Sequence, residues 1–217
     1  MPDFDFQIVK AEPMRDQATP ALVFHLRVTN HAEQQPVHAI LLRCQIQIEA
    51  PRRRYNPQEQ ESLRDLFGEP ERWAQTLRST LWANVSLNIP SFTGTVICPV
   101  CVPCTFDLMI GSAKYFHALE GGEVPVTFLF SGTVFYDSGQ AGFQVAPVPW
   151  NQEARFRLPI RVWKEMIDLH YPNIAWLCLR RDIFDELYRF KVKEGIATFE
   201  ETVERLLEMS RQPMEVS

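Results

Sequence analysis

Residues 21 to 30 read Ala-Leu-Val-Phe-His-Leu-Arg-Val-Thr-Asn, and apolar and polar side chains alternate along them. One side of an extended chain would carry four apolar residues: Leu22, Phe24, Leu26 and Val28. The other side would carry a mainly polar set: Val23, His25, Arg27 and Thr29. Alternation with a period of two is typical of a β-strand that buries one face. We therefore predict a half-buried strand here.

The same period returns in other parts of the chain. It is clearest over residues 40–48, 81–89 and 126–136, and shorter strand candidates occur at residues 6–9, 143–148 and 154–158. Turns rich in Gly, Pro and Asn separate these segments, and no helix of crossover length lies between them. The pattern predicts a mostly β (α+β) chain, built as an immunoglobulin-like antiparallel β-sandwich with C-terminal helices. A barrel, or a single sheet backed by helices, stays open.

Two regions depart from the strand pattern. Around residues 57–79, Leu63, Leu66 and Phe67 have helical spacing, and Gly68 follows as a stop signal. After residue 158, apolar side chains recur three and four residues apart. We therefore predict a β-sandwich domain at residues 1–158 with a short helical insertion, and a helical appendix at residues 159–217 packed on the sandwich.

Composition limits the partners and the compartment. The net charge of −5 makes binding to nucleic acid phosphates unfavourable, and no apolar run approaches the roughly 20 residues that cross a bilayer. The N-terminal residues are acidic, whereas a signal peptide begins with basic ones. Five cysteines, an odd number, favour reduced thiols over a disulfide framework. We expect a cytoplasmic protein that binds neither nucleic acid nor membrane.

The only basic run is Arg52-Arg53-Arg54, between Pro51 and Tyr55. Three arginines in a row are common in solvated surface loops, and we expect such a loop after a strand. The alternative is that Arg52, Arg53 and Arg54 contact a protein partner.

The segment Cys98-Pro-Val-Cys101-Val-Pro-Cys104 carries three thiols at a spacing of three. Thiolates that a tight turn brings together can bind zinc or an iron–sulfur cluster. A fourth ligand would have to come from a distant residue: Cys44, Cys178, His117 or His25. Cys98, Cys101 and Cys104 are therefore a candidate metal site.

Two features of this segment oppose the metal hypothesis. Pro99 and Pro103 favour an extended backbone, which keeps the thiols apart. Cys104 is also in phase with three apolar residues that would form the core face of a strand: Phe106, Leu108 and Ile110. Free cysteines are among the most buried residues, so buried thiols without a metal are the favoured interpretation.

The sequence lacks the commonest catalytic motifs. It contains no G-x-S-x-G, no H-E-x-x-H, no Walker-type loop and no G-x-G-x-x-G. We therefore expect a non-enzyme without a cofactor. A hydrolase or transferase with an unrecognised cysteine centre is the alternative.

Trp82 stands out among the tryptophans, because it lies on the strand face opposite Leu81 and Val85. A large apolar side chain on an outer face needs a cover. We expect either the helical tail or a protein partner to cover Trp82, which makes it a candidate partner-binding residue.

Six motifs resemble an uncharacterised bacterial family, a conserved domain of unknown function, and they span nearly the whole chain. They are Pro20-Ala-Leu-Val-Phe24, Leu66-Phe-Gly68, Cys104-Thr-Phe-Asp107, Lys114-Tyr-Phe-His-Ala-Leu119, Gly122-Glu-Val-Pro125 and Phe130-Ser-Gly-Thr-Val-Phe-Tyr136. Genes of this family lie beside those of actinobacterial-type nickel–iron hydrogenases, so the resemblance implies an accessory or assembly role. It brings no catalytic residues, and only Cys104 of the three clustered thiols belongs to a motif.

The leading hypothesis is therefore a non-catalytic, cytosolic accessory protein that binds another protein through sheet edges or an apolar patch. The implied partner is a hydrogenase subunit or maturation factor, and the homo-oligomeric state stays open. The alternative is a metal or iron–sulfur carrier that uses Cys98, Cys101 and Cys104.

Overall fold

The computed structural model describes residues 2–32, 35–105, 110–139, 142–172, 174, 177 and 179–211. Every strand in these ranges pairs antiparallel with its neighbours. The strands are β1 Phe4–Pro13, β2 Ala21–Asn30, β3 Val37–Ile48, β4 Thr80–Ile89, β5 Thr95–Pro103, β6 Glu123–Asp137, β7 Phe143–Pro147 and β8 Glu153–Pro159.

Helices fill the connection between β3 and β4, follow β5, and form the C-terminal part of the described chain. Short 3₁₀ turns at Ala50–Arg52 and Pro70–Arg72 accompany the first group. The α-helices are α1 Pro57–Ser62, α2 Arg64–Phe67, α3 Trp73–Thr76, α4 Ile110–His117, α5 Ile160–His170, α6 Arg181–Glu194 and α7 Phe199–Arg211.

The strands form two antiparallel sheets. One has the order β1-β2-β5, and the other has the order β4-β3-β6-β7 with β8 also on β6. Strand β3 occupies one edge of β6. The other edge is shared by two strands that lie end to end: β8 opposite residues 123–129 and β7 opposite residues 133–137. The chain is thus α+β, with antiparallel sheets and C-terminal helices as predicted.

Aromatic rings join the two sheets through one core. Phe24 of β2 contacts Phe128 of β6 at a ring-centroid distance of 5.0 Å. Phe6 of β1 stacks on Phe130 of β6 at 4.8 Å. The apolar face predicted for β2 is the buried one, since Leu22, Phe24, Leu26 and Val28 are all fully buried. Two sheets that share a core in this way make the fold sandwich-like.

The predicted strand phase beyond Cys104 is wrong at its far end. Ile110 begins helix α4 and does not continue a strand, whereas Phe106 and Leu108 lie outside the described residues. In α4 and the turn after it, Ala113, Phe116 and Leu119 are buried three residues apart. Residues three apart lie on the same face of a helix, so the burial of these side chains favours a helix over a strand here.

The chain divides into two compact units, Met1–Ile174 and Ala175–Ser217. Helix α5 belongs to the first unit, where Trp163 stacks on Phe116 of α4 with ring centroids 5.4 Å apart. Helices α6 and α7 belong to the second unit, and Thr202 is the one buried residue among their described side chains.

None of the helices in the described ranges combines the length and the apolar character needed to cross a membrane.

Candidate protein-binding surface

Strand β5 keeps the clustered thiols apart. Cys98 faces the core opposite Leu26, whereas Cys101 faces outward opposite Val23. Successive side chains of a strand point to opposite faces, so a spacing of three puts these two thiols on opposite sides of the sheet. The segment has the extended backbone that its prolines favour. The strand therefore does not bring Cys98, Cys101 and Cys104 together.

Burial makes the inner thiols poor ligands and poor nucleophiles. Desolvation raises the pKa of both Cys44 and Cys104 to about 12, and it also raises the pKa of Cys98. Reactive and metal-binding cysteines need the thiolate form. Across the part of the chain that the structure describes, no group of three or more His, Cys, Asp or Glu residues could hold a metal ion. The metal-carrier and cysteine-enzyme hypotheses stay untested predictions.

Trp82 is a core residue, so the prediction that it lies on an outer face is wrong. Its side chain is only 6% exposed, and its ring lies 5.0 Å from that of Phe116. The register between β3 and β4 shifts there, because Ile46 pairs with Ala83 and the next residue pairs with Leu81. The extra residue of such a bulge reverses the strand phase. Trp82 therefore turns inward, and it is not available to a partner.

The three arginines have different environments. Arg52 and Arg54 are exposed, as expected for a loop, and Arg52 lies 3.8 Å from a carboxylate oxygen of Glu49. The prediction of a solvated loop is wrong for Arg53, because its side chain is only 8% exposed. Its buried guanidinium is a structural group and does not belong to a partner-binding surface.

Arg53 and Glu59 form a buried bidentate ion pair. The Nη1 and Nη2 groups of Arg53 donate to the two carboxylate oxygens of Glu59 at 2.8 and 2.7 Å. Nη2 also donates to the carbonyl oxygen of Gly121 at 2.6 Å, and the guanidinium lies 5.0 Å from the centre of the Tyr55 ring. The pair therefore ties the helical connection to the turn before β6.

The Glu59 carboxylate accepts hydrogen bonds on both of its oxygens. Burial alone would raise the pKa of Glu59, but hydrogen bonds from Arg53 and from the backbone N–H groups of Glu120 and Asn56 hold this pKa below its usual value. Nearby, the hydroxyl groups of Tyr55 and Tyr115 are 2.8 Å apart, and burial raises the pKa of both. A site saturated in this way stabilises the fold and has no free group for a ligand.

One local signal for this cluster was present in the sequence. Asn56 caps α1 by accepting a hydrogen bond from the backbone N–H of Glu59, and the Glu59 side chain returns a contact to the Asn56 backbone. Asn-x-x-Glu has the spacing of such a capping box. The spacing places Glu59 at the start of a helix, but it does not identify Arg53 as its partner.

The five-stranded sheet has one face that points away from the core and carries exposed side chains. We call it the outer face, and it consists of the outward side chains of β3, β4, β6, β7 and β8. Direct pairing places Arg155 beside Thr127, Arg43 beside Ser131, and Leu41 beside Thr133. The outer face therefore runs from a basic end on β8 to an apolar end on β7.

Arginines dominate the basic end and the middle of the outer face. Arg43, Arg155 and Arg157 are all exposed. Arg155 pairs with Glu153 at 2.8 Å. No ion pair of Arg43 or Arg157 occurs among the described residues. The exposed Glu123 and Glu153 lie on the same part of the outer face, so three positive charges stand against two negative ones, on a chain whose net charge is −5.

The apolar end of the outer face is built by β7 and its neighbours. Phe143 is 62% exposed, Val145 is 55% exposed and Leu41 is 50% exposed. The Phe143 ring stacks on Phe135 at 6.0 Å and on His38 at 5.7 Å. Exposed apolar side chains that adjoin one another are typical of protein-binding surfaces.

A depression of about 570 Å³ lies over β3, β4 and β6, and its lining includes Leu41, Arg43, Asn88 and Thr133. Gly132 also lines it and brings β6 close to β3. A Cβ atom at this position would lie 2.0 Å from the carbonyl oxygen of Leu41, and the backbone φ is +152°. Only glycine fits there without strain. Gly132 belongs to the motif Phe130–Tyr136, so one of the six motifs shapes the outer face.

A model for a family of unknown function (DUF6084) matches residues 1–215. The chain belongs to this family. The resemblance found in the six motifs is thereby confirmed, since DUF6084 is an uncharacterised domain family. No curated protein matches the chain.

Comparison with solved structures gives similar chains at low identity. The CARDB domain of the PF1109 protein from Pyrococcus furiosus, in complex with di-metal ions, is 10% identical, with a TM-score of 0.27 over 73% of this chain and 87% of that one. The solution structure of a candidate late embryogenesis abundant protein is 13% identical, with a TM-score of 0.30 over 73% of each chain. β-Glucosidase 3B from Thermotoga neapolitana, in complex with glucose, is 15% identical, with a TM-score of 0.25 over 72% of this chain and 17% of that one.

Proposed function

We propose that this DUF6084 protein is a non-catalytic accessory protein that binds another protein through the outer face. The observation that carries the proposal is the uncovered apolar end, where Phe143 and Val145 are more than half exposed beside β6. Exposed large side chains on the same face of a strand lower solubility unless a partner uses them. The buried ion pair and the inner thiols, in contrast, serve the fold.

The chemistry of the outer face defines the partner. Apolar contact with Leu41, Phe143 and Val145 would exclude water at one end. Exposed arginines at the other end favour acidic side chains, because opposite charges fix the orientation of a complex. We therefore propose a partner that presents apolar residues beside acidic ones. The edge of β7 that faces away from β6 has no strand on it among the described residues, so an extended segment could add there.

In its specific form, the proposal places the protein in the cytosol and makes the partner a nickel–iron hydrogenase subunit or maturation factor. The support is the gene neighbourhood that the family resemblance implies. We also propose that the two antiparallel sheets form an immunoglobulin-like sandwich; the support is that they share one aromatic core.

Capture from native cells with matched variants tests the general proposal. The tagged full-length chain serves as bait beside the double variant Phe143→Asp/Val145→Asp. The control is Ile97→Asp, because Ile97 is 53% exposed on the outward side of the other sheet. We expect one protein that the unchanged chain and the Ile97 variant retain and the double variant loses. The same protein, purified, should bind the unchanged chain directly.

The outcomes separate the two levels of the proposal. Equal binding by the double variant and the unchanged chain would overturn the outer face as the binding surface. A partner that depends on the outer face but is neither a hydrogenase subunit nor a maturation factor would overturn only the specific form. Far-UV circular dichroism of all three proteins checks that each variant is folded.

A further inference from the structure

The helical hairpin α6–α7 has a well-defined form. Gly195 ends α6 with φ +68°, and the backbone N–H of Ile196 donates to the carbonyl oxygen of Lys191. Thr198 and Glu201 then form a reciprocal capping pair at the start of α7, with distances of 3.1 and 3.3 Å. Such paired stop and start signals fix a short connection between the two helices.

The hairpin does not bury its own apolar side chains. The Phe199 ring of α7 contacts Phe184 and Tyr188 of α6 at 5.2 and 6.4 Å. Nine large apolar residues nevertheless remain at least 36% exposed: Ile183, Phe184, Tyr188, Val192, Phe199, Val203, Leu206, Leu207 and Met209. Together they expose an area on the order of the ~800 Å² per partner that stable interfaces bury. Helices of this length need such packing to be stable.

A charge pattern on α6 indicates what can pack beside this helix. Asp182, Glu186, Arg189 and Lys193 follow one another at spacings of four, three and four residues, so they form one stripe along the helix. The order along the stripe is acid, acid, base, base. When two such helices lie antiparallel about their midpoint, Asp182 faces the partner's Lys193, and Glu186 faces the partner's Arg189. The stripe is therefore complementary to itself.

The helix dipole explains only part of this order. It favours acids in the first turn and bases in the last turn, which accounts for Asp182 and Lys193. Its effect falls off within one turn, so it does not account for Glu186 and Arg189 near the middle. Asp182 pairs with Arg180 at 3.0 Å, whereas neither Glu186 nor Arg189 has an ion-pair partner in the described part of the chain. The neighbouring stripe, Ile183, Leu187 and Phe190, is apolar and would lie in the contact.

We propose that two copies of this chain associate through α6–α7, with their α6 helices antiparallel across a two-fold axis, to form a four-helix bundle. A two-fold contact uses the same surface on both copies, which a self-complementary stripe requires. The exposed residues of α7, among them Val203 and Leu207, would then line the same bundle core. This inference does not depend on the binding function of the outer face.

Sedimentation of the full-length chain over a concentration series tests the proposal. We expect a dimer that Ile183→Asp/Leu207→Asp converts to a monomer, since Ile183 belongs to the apolar stripe of α6 and both residues are at least 40% exposed. Ile97→Asp, at an exposed site in the first unit and outside the outer face, is the control and should remain dimeric. A monomer at every concentration would overturn the proposal, as would a dimer that the hairpin variant leaves intact.

A charge exchange tests the antiparallel arrangement itself. Asp182→Lys/Glu186→Lys makes the stripe basic throughout, and Arg189→Glu/Lys193→Glu makes it acidic throughout. Each variant alone should dimerise at least about tenfold more weakly, because its like charges meet across the axis. An equimolar mixture should form a heterodimer about as tight as the unchanged dimer. If both variants dimerise normally, or if the mixture stays monomeric, the antiparallel α6 contact is wrong.

Discussion

Arg53 and Arg43 show how differently one residue type is used in this protein. Arg53 is buried against Glu59 and holds the helical connection to the turn before β6. Arg43 is exposed on the outer face and has no ion-pair partner among the described residues. The middle arginine of the conspicuous run thus contributes to the fold, whereas an isolated arginine on a strand is free to meet a partner. Changes at the two sites should therefore affect different properties.

The largest effect is expected at the buried pair. Glu59→Gln leaves the guanidinium of Arg53 buried without its counter-charge, and breaking such a pair costs about 3–5 kcal/mol of unfolding free energy. Urea denaturation followed by circular dichroism measures this loss. Glu61→Gln on the same helix is the control, because Glu61 is 67% exposed, and we expect a change within about 0.5 kcal/mol. Equal stabilities of the two variants would show that the buried pair does not hold the fold.

The second-largest loss of stability is expected at Gly132, where β6 lies close to β3. Gly132→Ala places a Cβ atom 2.0 Å from the Leu41 carbonyl oxygen, in a backbone conformation that disfavours side chains. We expect a loss of at least about 2 kcal/mol, because both backbone strain and the strand pairing are affected. Gly139→Ala separates the two causes, since Gly139 also has a positive φ but no atom within 4 Å of its Cβ position. A Gly132 variant no less stable than the Gly139 variant would contradict the close contact between β3 and β6.

The sheets could be predicted from the sequence because their signal is local. Alternation over a few residues identifies a strand and its buried face, as it does for Leu22 to Val28. Trp82 was misplaced because its orientation depends on a bulge, and the bulge is set by the pairing of β4 with β3. Ile110 was misplaced because a short apolar run fits a strand and a helix equally well.

The candidate site was harder to predict, because it depends on long-range arrangement. Phe143 and Val145 were recognised as part of a strand, but their exposure depends on which face of the sheet packs against the other sheet. Arg53 and Glu59 are only six residues apart, yet their burial requires the turn at Gly121, which comes from a distant part of the chain. A charge pattern in the sequence gives no information on such a convergence.

The buried pair should also make stability depend on acid pH. Because the pKa of Glu59 is lowered in the folded state, its contribution is present above the unfolded value of about 4.3 and is lost as the pH falls through the folded value. The stability difference between the unchanged chain and Glu59→Gln should therefore shrink as the pH is lowered from 6 to 3, roughly the range in which carboxylates titrate. Urea denaturation at each pH measures it. A constant difference would mean that Glu59 titrates alike in the folded and unfolded chains.

The smallest effect on the fold, and the sharpest contrast with Arg53, is expected for Arg43→Ala. Because Arg43 is exposed and unpaired within the described residues, its removal should change the unfolding free energy by less than about 0.5 kcal/mol. Binding of the captured partner should weaken, by roughly two- to tenfold, because exposed charge pairs contribute little each. The difference should disappear at high salt, where such pairs are screened. Arg27→Ala, at an exposed site on the other sheet, should leave binding unchanged. Equal losses for Arg27 and Arg43 would indicate that the net charge of the chain, and not the outer face, attracts the partner.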